Sequence, residues 1–441
     1  MRHWFLSTSL LLAGVVACVS PASDPSAAGP PEPVELARID VGKNVPVVMA
    51  KDLDGDGLDE LIVADPAAGS YPRSAAGRVR VLSAPVTSGD WSELPALLVL
   101  RGEQPFRRFG SALAAVDLDG DGVSDIALRA ETSPEGEGTV CVFSGTLRGD
   151  HGMPSAAYLT LTGPATLGQG MVAVDYDGNG VDDLVVSCPL RSEVYVVLAP
   201  RLGHVRLPQD ADAILATQSG SLGWTLAAGD FDGDGGLELA VAEPASDTIY
   251  VAPVGLMGRQ DIDAIARAVI RSGSATDHLV GADALERPDG GAWLFVRSRR
   301  VDVTMAGTLL LLDGPLTGEM DVRRDAYMSL EYAAPVLGAS AAWIRPGGDD
   351  GDFLVLATPG RSNIPYSNLK GGLWLLSVDG LGHGVLDPHA LGTVGRHLPP
   401  QQFGLDWLAR DLLIGRPLAP NTTHLIATAN GAVVVLGWPE P

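Results

Sequence analysis

The sequence predicts an all-β fold, a seven-bladed β-propeller of four-stranded blades, and three observations indicate it. An acidic loop of nine residues recurs in one register, as DLDGDGLDE from Asp52, DLDGDGVSD from Asp117, DYDGNGVDD from Asp175 and DFDGDGGLE from Asp230. Each loop is followed by a short apolar run, which is typical of a strand covered on both faces. With weaker copies, the chain contains seven units at intervals of roughly 53 to 66 residues, a period typical of propellers and solenoids.

Each unit has the same internal order of elements. A first strand precedes the acidic loop, as at Ser111–Val116, Met171–Val174 and Thr225–Ala228. A second, almost wholly apolar strand follows the loop, at Leu61–Ala64, Ile126–Leu128, Leu184–Ser187 and Leu239–Ala242. Third strands are predicted at Arg78–Leu82, Thr139–Phe143, Glu193–Leu198, Thr248–Ala252, Thr308–Leu312, Leu373–Leu376 and Ala432–Leu436, and fourth strands include Ala96–Leu100 and Tyr158–Leu161. One short helix is predicted at Asp261–Ile270.

Units five to seven keep the flanks of the repeat but lose its acidic residues. One begins at Val280-Gly281, another has the loop RPGGDDGDF from Arg345, and the last follows Phe403-Gly404. Of the acidic positions, the loop from Arg345 retains only Asp349. We therefore expect cation sites in units one to four alone.

The acidic loops are candidate calcium sites. Positions one, three and five carry side-chain oxygens, position nine is always acidic, and glycines at positions four and six let the backbone turn tightly, which leaves the carbonyl at position seven available. Such flexible sets of hard oxygens suit Ca²⁺ better than Mg²⁺. The candidate ligands are Asp52, Asp54, Asp56, Leu58 and Glu60; Asp117, Asp119, Asp121, Val123 and Asp125; Asp175, Asp177, Asn179, Val181 and Asp183; and Asp230, Asp232, Asp234, Gly236 and Glu238.

Two other kinds of metal site, an EF-hand and a zinc site, are excluded by residue type. An EF-hand needs a bidentate glutamate at position twelve, where these loops have Val63, Leu128, Val186 and Val241. Zinc sites draw on histidine and cysteine, and neither occurs in the loops.

These features together resemble a known repeat. The pair Phe109-Gly110, the acidic loop and the corners Ala64-Asp65-Pro66, Ala242-Glu243-Pro244 and Ala357-Thr358-Pro359 resemble FG-GAP repeats. That resemblance implies the seven-bladed β-propeller of integrin α-subunits and of many bacterial surface proteins, over about Val34 to Trp438. It also implies that the loops between second and third strands lie on the face opposite the calcium.

Ring closure is expected to use the N-terminal segment. Unit seven ends with its third strand, so its blade lacks one strand, and Val34–Val41 has strand-like composition. We expect it to be the outer strand of blade seven, because a closed ring removes edges that could pair with other chains.

The N-terminus predicts export and anchoring. Arg2 and His3 precede an apolar run, Leu10–Val19, that is too short to span a bilayer and is typical of a secretory signal. The run ends Val-Val-Ala-Cys18, which resembles a bacterial lipobox; ordinary signal-peptidase cleavage is the alternative. The predicted divisions are therefore residues 1–18 as signal peptide, 19–33 as flexible linker and 34–441 as propeller. The expected location is the cell envelope or cell surface, after secretion across the inner membrane.

Composition limits the partners and the chemistry. The net charge is −24, and seventeen of the 54 acidic residues lie in the four loops, so no basic groove for nucleic acid is expected. Nucleophile-elbow, metalloprotease and phosphate-loop motifs do not occur, which favours a protein without catalytic activity. Cys141 and Cys188 lack redox or metal spacing and are expected to be buried thiols, with an inter-blade disulfide as the alternative.

A ligand-binding face is expected in the longer loops between second and third strands, at Ala67–Ala76, Arg297–Ala306 and Arg361–Lys370. Its candidate residues are Tyr71, Arg73, Arg299, Arg300, Tyr366, Asn368 and Lys370, with ordinary loop variation as the alternative. The function predicted first is a Ca²⁺-binding, non-catalytic adhesion module for an unknown protein or glycan. The alternative is a carbohydrate-binding or polysaccharide-cleaving propeller.

Overall fold

The computed structural model describes most of the chain from residue 33 onward. The described ranges are 33–42, 46–69, 76–102, 108–130, 136–218, 220–274, 277–287, 291–300, 307–332, 340–344, 353–358, 372–377, 384–386, 395–398, 408–419, 422–429 and 431–438. The predicted signal peptide with Cys18, and the predicted linker up to residue 32, lie outside these residues. Within the described ranges, no helix has the length and apolar character needed to cross a bilayer.

The chain forms seven sheets, one for each predicted unit, and the neighbouring strands of each unit pair antiparallel. A strand β1 (Val34–Asp40) comes first. Units one to three contain β2 (Val47–Lys51), β3 (Glu60–Asp65), β4 (Arg78–Leu82), β5 (Gly89–Asp90) and β6 (Ala96–Gly102); β7 (Leu113–Val116), β8 (Asp125–Ala130), β9 (Glu137–Phe143), β10 (Gly149–Met153) and β11 (Leu159–Pro164); and β12 (Met171–Val174), β13 (Asp183–Cys188), β14 (Glu193–Val197), β15 (Gly203–Arg206) and β16 (Ala213–Ala216).

Units four to seven repeat this order. They contain β17 (Leu226–Gly229), β18 (Glu238–Glu243), β19 (Thr248–Pro253), β20 (Gly258–Asp261) and β21 (Ala268–Arg271); β22 (Asp277–Glu286), β23 (Ala292–Arg300), β24 (Gly307–Leu312), β25 (Gly318–Asp321) and β26 (Met328–Tyr332); β27 (Ser340–Ile344), β28 (Phe353–Thr358), β29 (Gly372–Ser377), β30 (Gly384–Leu386) and β31 (Gly395–Leu398); and β32 (Leu408–Gly415), β33 (His424–Ala429) and β34 (Ala432–Gly437). Short helices lie at Pro189–Arg191, Pro244–Ser246 and Ile262–Ile265.

The sheets form a closed ring. The first strands of successive units lie against one another all the way round, and β32 of unit seven contacts β2 of unit one. In units one to four, the second and third strands are buried along nearly their whole length, and apolar cores lie between neighbouring blades. The prediction of a seven-bladed β-propeller is therefore confirmed.

Closure occurs through the N-terminal strand, as predicted. Strand β1 pairs antiparallel with β34, with Val34 opposite Gly437 and Asp40 opposite Ala432. Ala37 and Ile39 of β1 pack into the core shared with blade one. The first and last strands of the ring are thus joined by backbone hydrogen bonds.

A fifth strand in most blades was not predicted. In each of units one to six, the connection between the third and fourth strands forms a short strand, and this strand pairs in parallel with the outer strand of the preceding blade. For example, β10 of unit two pairs with β6 of unit one, and β5 of unit one pairs with β1 in blade seven. Unit seven takes its outer strand from the N-terminus and has no such connection, so β31 of blade six has no fifth strand among the described residues.

The Phe-Gly pair of the repeat packs tightly against the strands of the preceding blade. Phe109 is fully buried, and Gly110 has a positive φ of 82°. A Cβ at Gly110 would lie 2.7 Å from the Cβ of Ala64 in the preceding blade, so glycine is required by close approach as well as by conformation. Leu167-Gly168 and Leu222-Gly223 repeat the arrangement.

Three local predictions have definite outcomes. The helix predicted at Asp261–Ile270 is wrong in extent: it covers only Ile262–Ile265, because the following apolar residues form the fourth strand β21. The loop predicted at Arg297–Ala306 is wrong at its start, because Arg297–Arg300 continue the second strand β23 and pair with β22. Cys141 and Cys188 are buried free thiols, so the disulfide alternative is wrong.

Candidate metal centres

Each acidic loop is folded around the carboxylate at position one. In loop one, Oδ1 of Asp52 accepts the backbone N–H of Gly55 at 2.7 Å, and Oδ2 accepts that of Gly57 at 3.0 Å. Both glycines have positive φ, near 80° and 88°, so the tight turn requires their lack of a side chain. The position-one aspartates of the other loops accept the position-six N–H in the same way.

The residue at position two anchors each loop in the core. These residues are apolar or aromatic and almost fully buried: Leu53, Leu118, Tyr176 and Phe231. The backbone oxygen of Leu118 accepts the N–H of Arg201 at 2.8 Å, and that of Phe231 accepts the N–H of Leu316 at 2.9 Å. Both donors belong to the third-to-fourth connection of the next unit, so an acidic loop is also a contact between blades.

The acid at position nine is buried at the start of the second strand. Glu60, Asp125, Asp183 and Glu238 are each at most 1% exposed, and each accepts the backbone N–H of position two at 2.8–3.0 Å. The second carboxylate oxygen of Asp125 accepts the N–H of Gly145 at 3.1 Å, and that of Asp183 accepts the N–H of Ala199 at 2.7 Å. A carboxylate has about four lone-pair sites, so these oxygens keep acceptor capacity for a cation.

Loops one to three bring three carboxylates together. Oxygens of positions one, three and nine lie within 4.8 Å of one another in the sets Asp52, Asp54 and Glu60; Asp117, Asp119 and Asp125; and Asp175, Asp177 and Asp183. Two ligands that are each about 2.4 Å from one Ca²⁺ can be at most about 4.8 Å apart, so the sets have the size of a calcium site. At position five, one side-chain oxygen accepts the N–H of position seven at 2.7–2.8 Å in all four loops.

The fourth loop differs from the others. Its converging carboxylates are those of Asp230, Asp232 and Asp234, at positions one, three and five, whereas the buried Glu238 is not among them. Glu238 Oε1 instead accepts a hydrogen bond from Nη1 of Arg267 at 2.8 Å. Arg267 precedes the fourth strand of the same blade, and nothing in the repeat pattern identified it.

Burial raises the pKa of all four position-nine carboxyls above their ordinary values, because the charged form loses hydration. Protonation of these carboxyls therefore stabilises the native state relative to the unfolded state. This stabilisation is fully present below the pKa values of the unfolded chain, and it is lost as the pH rises through the raised pKa values of the native state. Without metal, we expect the melting temperature to increase as the pH is lowered from 7 towards 5.

Calorimetry in metal-free buffers at pH steps between those limits measures this effect. A matched series with added Ca²⁺ is the control, since protons then compete with the ion and the stabilisation by calcium should shrink over the same interval. A metal-free melting temperature that falls steadily on acidification would contradict the prediction.

Five of the seven predicted ligand-binding residues fall outside the part of the chain that the structure describes. Tyr71, Arg73, Tyr366, Asn368 and Lys370 lie outside the described residues. Arg299 and Arg300 belong to strand β23, and Arg299 pairs with His278 of β22 and Gly307 of β24. They are therefore strand residues, not loop residues as expected.

The chain has recognisable similarity to known proteins. The FG-GAP repeat model matches residues 109–143 and 222–256, which are parts of units two and four. Phosphatidylinositol-glycan-specific phospholipase D of Rattus norvegicus is 36% identical over 155 residues, which cover 32% of this chain and 18% of that protein. Integrin alpha-5 of Xenopus laevis is 36% identical over 148 residues, covering 32% of this chain and 14% of the relative. Integrin alpha-IIb of Homo sapiens is 36% identical over 166 residues, covering 34% and 15%.

These similarities concern only part of each relative, since the matched region spans less than a fifth of their lengths. A solved structure described as the Dos1 propeller aligns with 92% of this chain and 95% of its own, with 8% identity and a TM-score of 0.43. The architecture itself is given by the seven sheets and their closed order. The chain is therefore a seven-bladed β-propeller that contains FG-GAP repeats and is similar to integrin α-chains over about a third of its length.

Proposed function

We propose that this protein is a calcium-stabilised, non-catalytic binding or adhesion module of the cell envelope or cell surface. The observation that carries the proposal is the convergence of three carboxylates in each of acidic loops one to three. Three negative oxygens so close together repel one another, and a divalent cation removes that repulsion. The repeat of one geometry three times supports a role in the fold and not in a single reaction.

Calcium is the ion that the donor set favours. All the converging side-chain atoms are carboxylate oxygens, which hard cations prefer, and the loops are glycine-rich and open to solvent at position five. Magnesium demands a stricter octahedral arrangement at shorter distances. By sequence register the fourth loop also has these donors, so the sequence alone gives a count of four ions.

A binding role is supported by the kind of scaffold and by its charge. A closed ring of paired strands holds surface loops in fixed positions, which suits recognition, although a propeller by itself does not specify a function. The similarity to integrin α-chains supports the same role. A net charge of −24 makes nucleic acid an unsuitable partner. The unknown ligand is proposed to be a protein or glycan.

Anchoring is proposed to occur through an acylated Cys18. The support is the sequence alone: a basic start, an apolar run and a Val-Val-Ala-Cys end, followed by a linker rich in Pro, Ala and Ser. Export across the inner membrane and attachment by acyl chains would place the ring at the envelope surface on a flexible tether.

The function is tested by capture from intact envelopes. The tagged ring, loaded with Ca²⁺, is expected to retain a specific protein or glycan, and EDTA is expected to release it. Simultaneous alanine substitution of Tyr71, Arg300 and Tyr366 should abolish capture with the circular dichroism spectrum unchanged. Arg324→Ala, at an arginine between β25 and β26 whose side chain is 67% exposed, is the control.

Two outcomes would overturn the proposal. If the same amount of ligand is captured with and without EDTA, binding of the ligand does not depend on calcium. Turnover of a polysaccharide on a glycan array would favour the carbohydrate-cleaving alternative over a non-catalytic module.

A further inference from the structure

The residue immediately before the fourth strand occupies an equivalent place in units two to five. Its backbone N–H donates to a carbonyl of the third strand, from Tyr158 to Val142 at 3.1 Å and from Arg267 to Val251 at 2.7 Å. Asp212 and Tyr327 make the same bond in units three and five. We name this place the gate position; in units two to four its residues are Tyr158, Asp212 and Arg267.

The gate residue can reach the acidic loop of its own unit. In unit two, the Tyr158 hydroxyl donates a hydrogen bond to Oδ2 of Asp125 at position nine. In unit three, Asp212 turns elsewhere, because it accepts the N–H of Leu198 at 2.9 Å and lies 3.7 Å from Arg201. Of units two to four, unit four alone has a positively charged residue at the gate position.

Arg267 places a single nitrogen among three carboxylates of loop four. Its Nη1 contacts Asp232 Oδ2, lies 3.2 Å from Asp234 Oδ2 and 2.8 Å from Glu238 Oε1. Glu238 is 1% exposed and Asp232 is 13% exposed, so two of the three contacts are shielded from water. Within the described residues, no ion pair joins an arginine or lysine to the converging carboxylates of loops one to three.

The set of carboxylates that meet in loop four also differs from the sets in the other loops. Positions one, three and nine converge in loops one to three, whereas positions one, three and five converge in loop four. The buried Glu238, which corresponds to Asp125 and Asp183, is engaged by Arg267 instead. Two separate observations, the ion pairs and the altered cluster, thus distinguish this loop.

We propose that Arg267 is the built-in counter-ion of loop four, so that the ring binds three calcium ions where its sequence suggests four. An arginine side chain remains charged at every pH at which the protein is folded, and its fork of N–H donors matches carboxylates. A calcium ion entering loop four must displace these charge-assisted hydrogen bonds, whereas loops one to three require no such exchange. The proposal rests on calcium binding by loops one to three.

The residue at the gate position therefore distinguishes unit two from unit four. The tyrosine of unit two orients the buried carboxylate through a hydrogen bond and adds no charge. The arginine of unit four makes its loop independent of metal. As a consequence, blade four is expected to keep its loop intact when calcium is removed, while blades one to three lose their counter-ions together.

Isothermal titration of the full chain with CaCl₂, after passage over a chelating resin, tests the count. The wild type is expected to bind three ions, and Arg267→Gln is expected to bind four. Arg271→Gln is the matched control: this arginine lies in the same blade, 3.5 Å from Glu319 and away from the loop, so its count should remain three. Arg267→Lys keeps a positive charge and should also bind three.

The outcomes separate this proposal from the one it rests on. A wild-type count of four, or an unchanged count of three in Arg267→Gln, would overturn the role of Arg267 while leaving calcium binding intact. A wild type that binds no calcium would reject calcium binding in loops one to three, and the count of three with it. A melting curve in EDTA gives a second readout, in which Arg267→Gln should melt below both the wild type and Arg271→Gln.

Discussion

Replacing Ile39 by aspartate is expected to destabilise the whole ring by roughly 4 kcal/mol or more, because a buried carboxylate without a partner is among the costliest substitutions. Ile39 is fully buried and lies opposite Val433 in the pairing that joins the first strand to the last. Its side chain belongs to the core that contains Leu61 and Val63 of blade one. The change therefore damages the closure and the adjacent blade together.

Urea unfolding followed by circular dichroism measures the loss, and size-exclusion chromatography detects association through the opened edge. Leu36→Asp is the control, since Leu36 is in the same strand but is 45% exposed, and its substitution should cost about 0.5 kcal/mol. Equal midpoints for the two variants would mean that β1 does not hold the ring closed.

Removal of calcium is expected to lower the melting temperature by about 5 °C. At about 1 mM free Ca²⁺ and a Kd of roughly 0.1 mM, each ion contributes about 1.4 kcal/mol, and three contribute about 4 kcal/mol. With an unfolding entropy of about 2.1 cal/mol/K per residue, a ring of this length loses about 1 °C for each kcal/mol. Loop one is hydrogen-bonded to unit seven, loop two to unit three and loop three to unit four, so the loss should be cooperative across neighbouring blades.

Scanning calorimetry in 1 mM CaCl₂ and in EDTA makes the comparison, with MgCl₂ as the matched control at equal ionic strength. Magnesium should restore less than half of the difference, since its coordination is stricter. Coincident melting curves with calcium and with EDTA would contradict a stabilising role for the ion.

Local sequence patterns predicted most of the strands. The third strand Arg78–Leu82 and the first strand Met171–Val174 have the predicted bounds, because their limits are set by turns and apolar runs within a few residues. The N-terminal strand was predicted from a missing partner at the other end of the chain, and its pairing with β34 confirms that reasoning.

Predictions were wrong where the local sequence pattern disagrees with the strand pairing in the blade. Ile262–Ile265 begins as a helix, but the next residues supply the fourth strand that blade four requires, so the helix ends early. The charged stretch Arg297–Arg300 has the composition of a loop, yet it extends β23 because both neighbouring strands continue beside it. Pairing with existing strands overrides the weak preferences of such segments.

Some features of the candidate metal centres were predicted from the sequence, and others are known only from the structure. The register of the acidic loops gave the position-one and position-three carboxylates and, in loops one to three, the buried acid that meets them. The role of position five, which caps the N–H of position seven, requires the folded loop. Glu238 lies 29 residues before Arg267 in the chain, and the two meet only because the third strand pairs with both the second and the fourth.

The sequence by itself determined the number of blades, the acidic loops and the strand that closes the ring, since these depend on glycines, apolar runs and spacing along the chain. Only the tertiary structure decided the parallel fifth strands, the bonds between acidic loops and the next unit, and the contact of Arg267 with loop four. The physical reason is that these contacts join segments from different strands or different units, which closure of the ring and pairing of its sheets bring within hydrogen-bond distance.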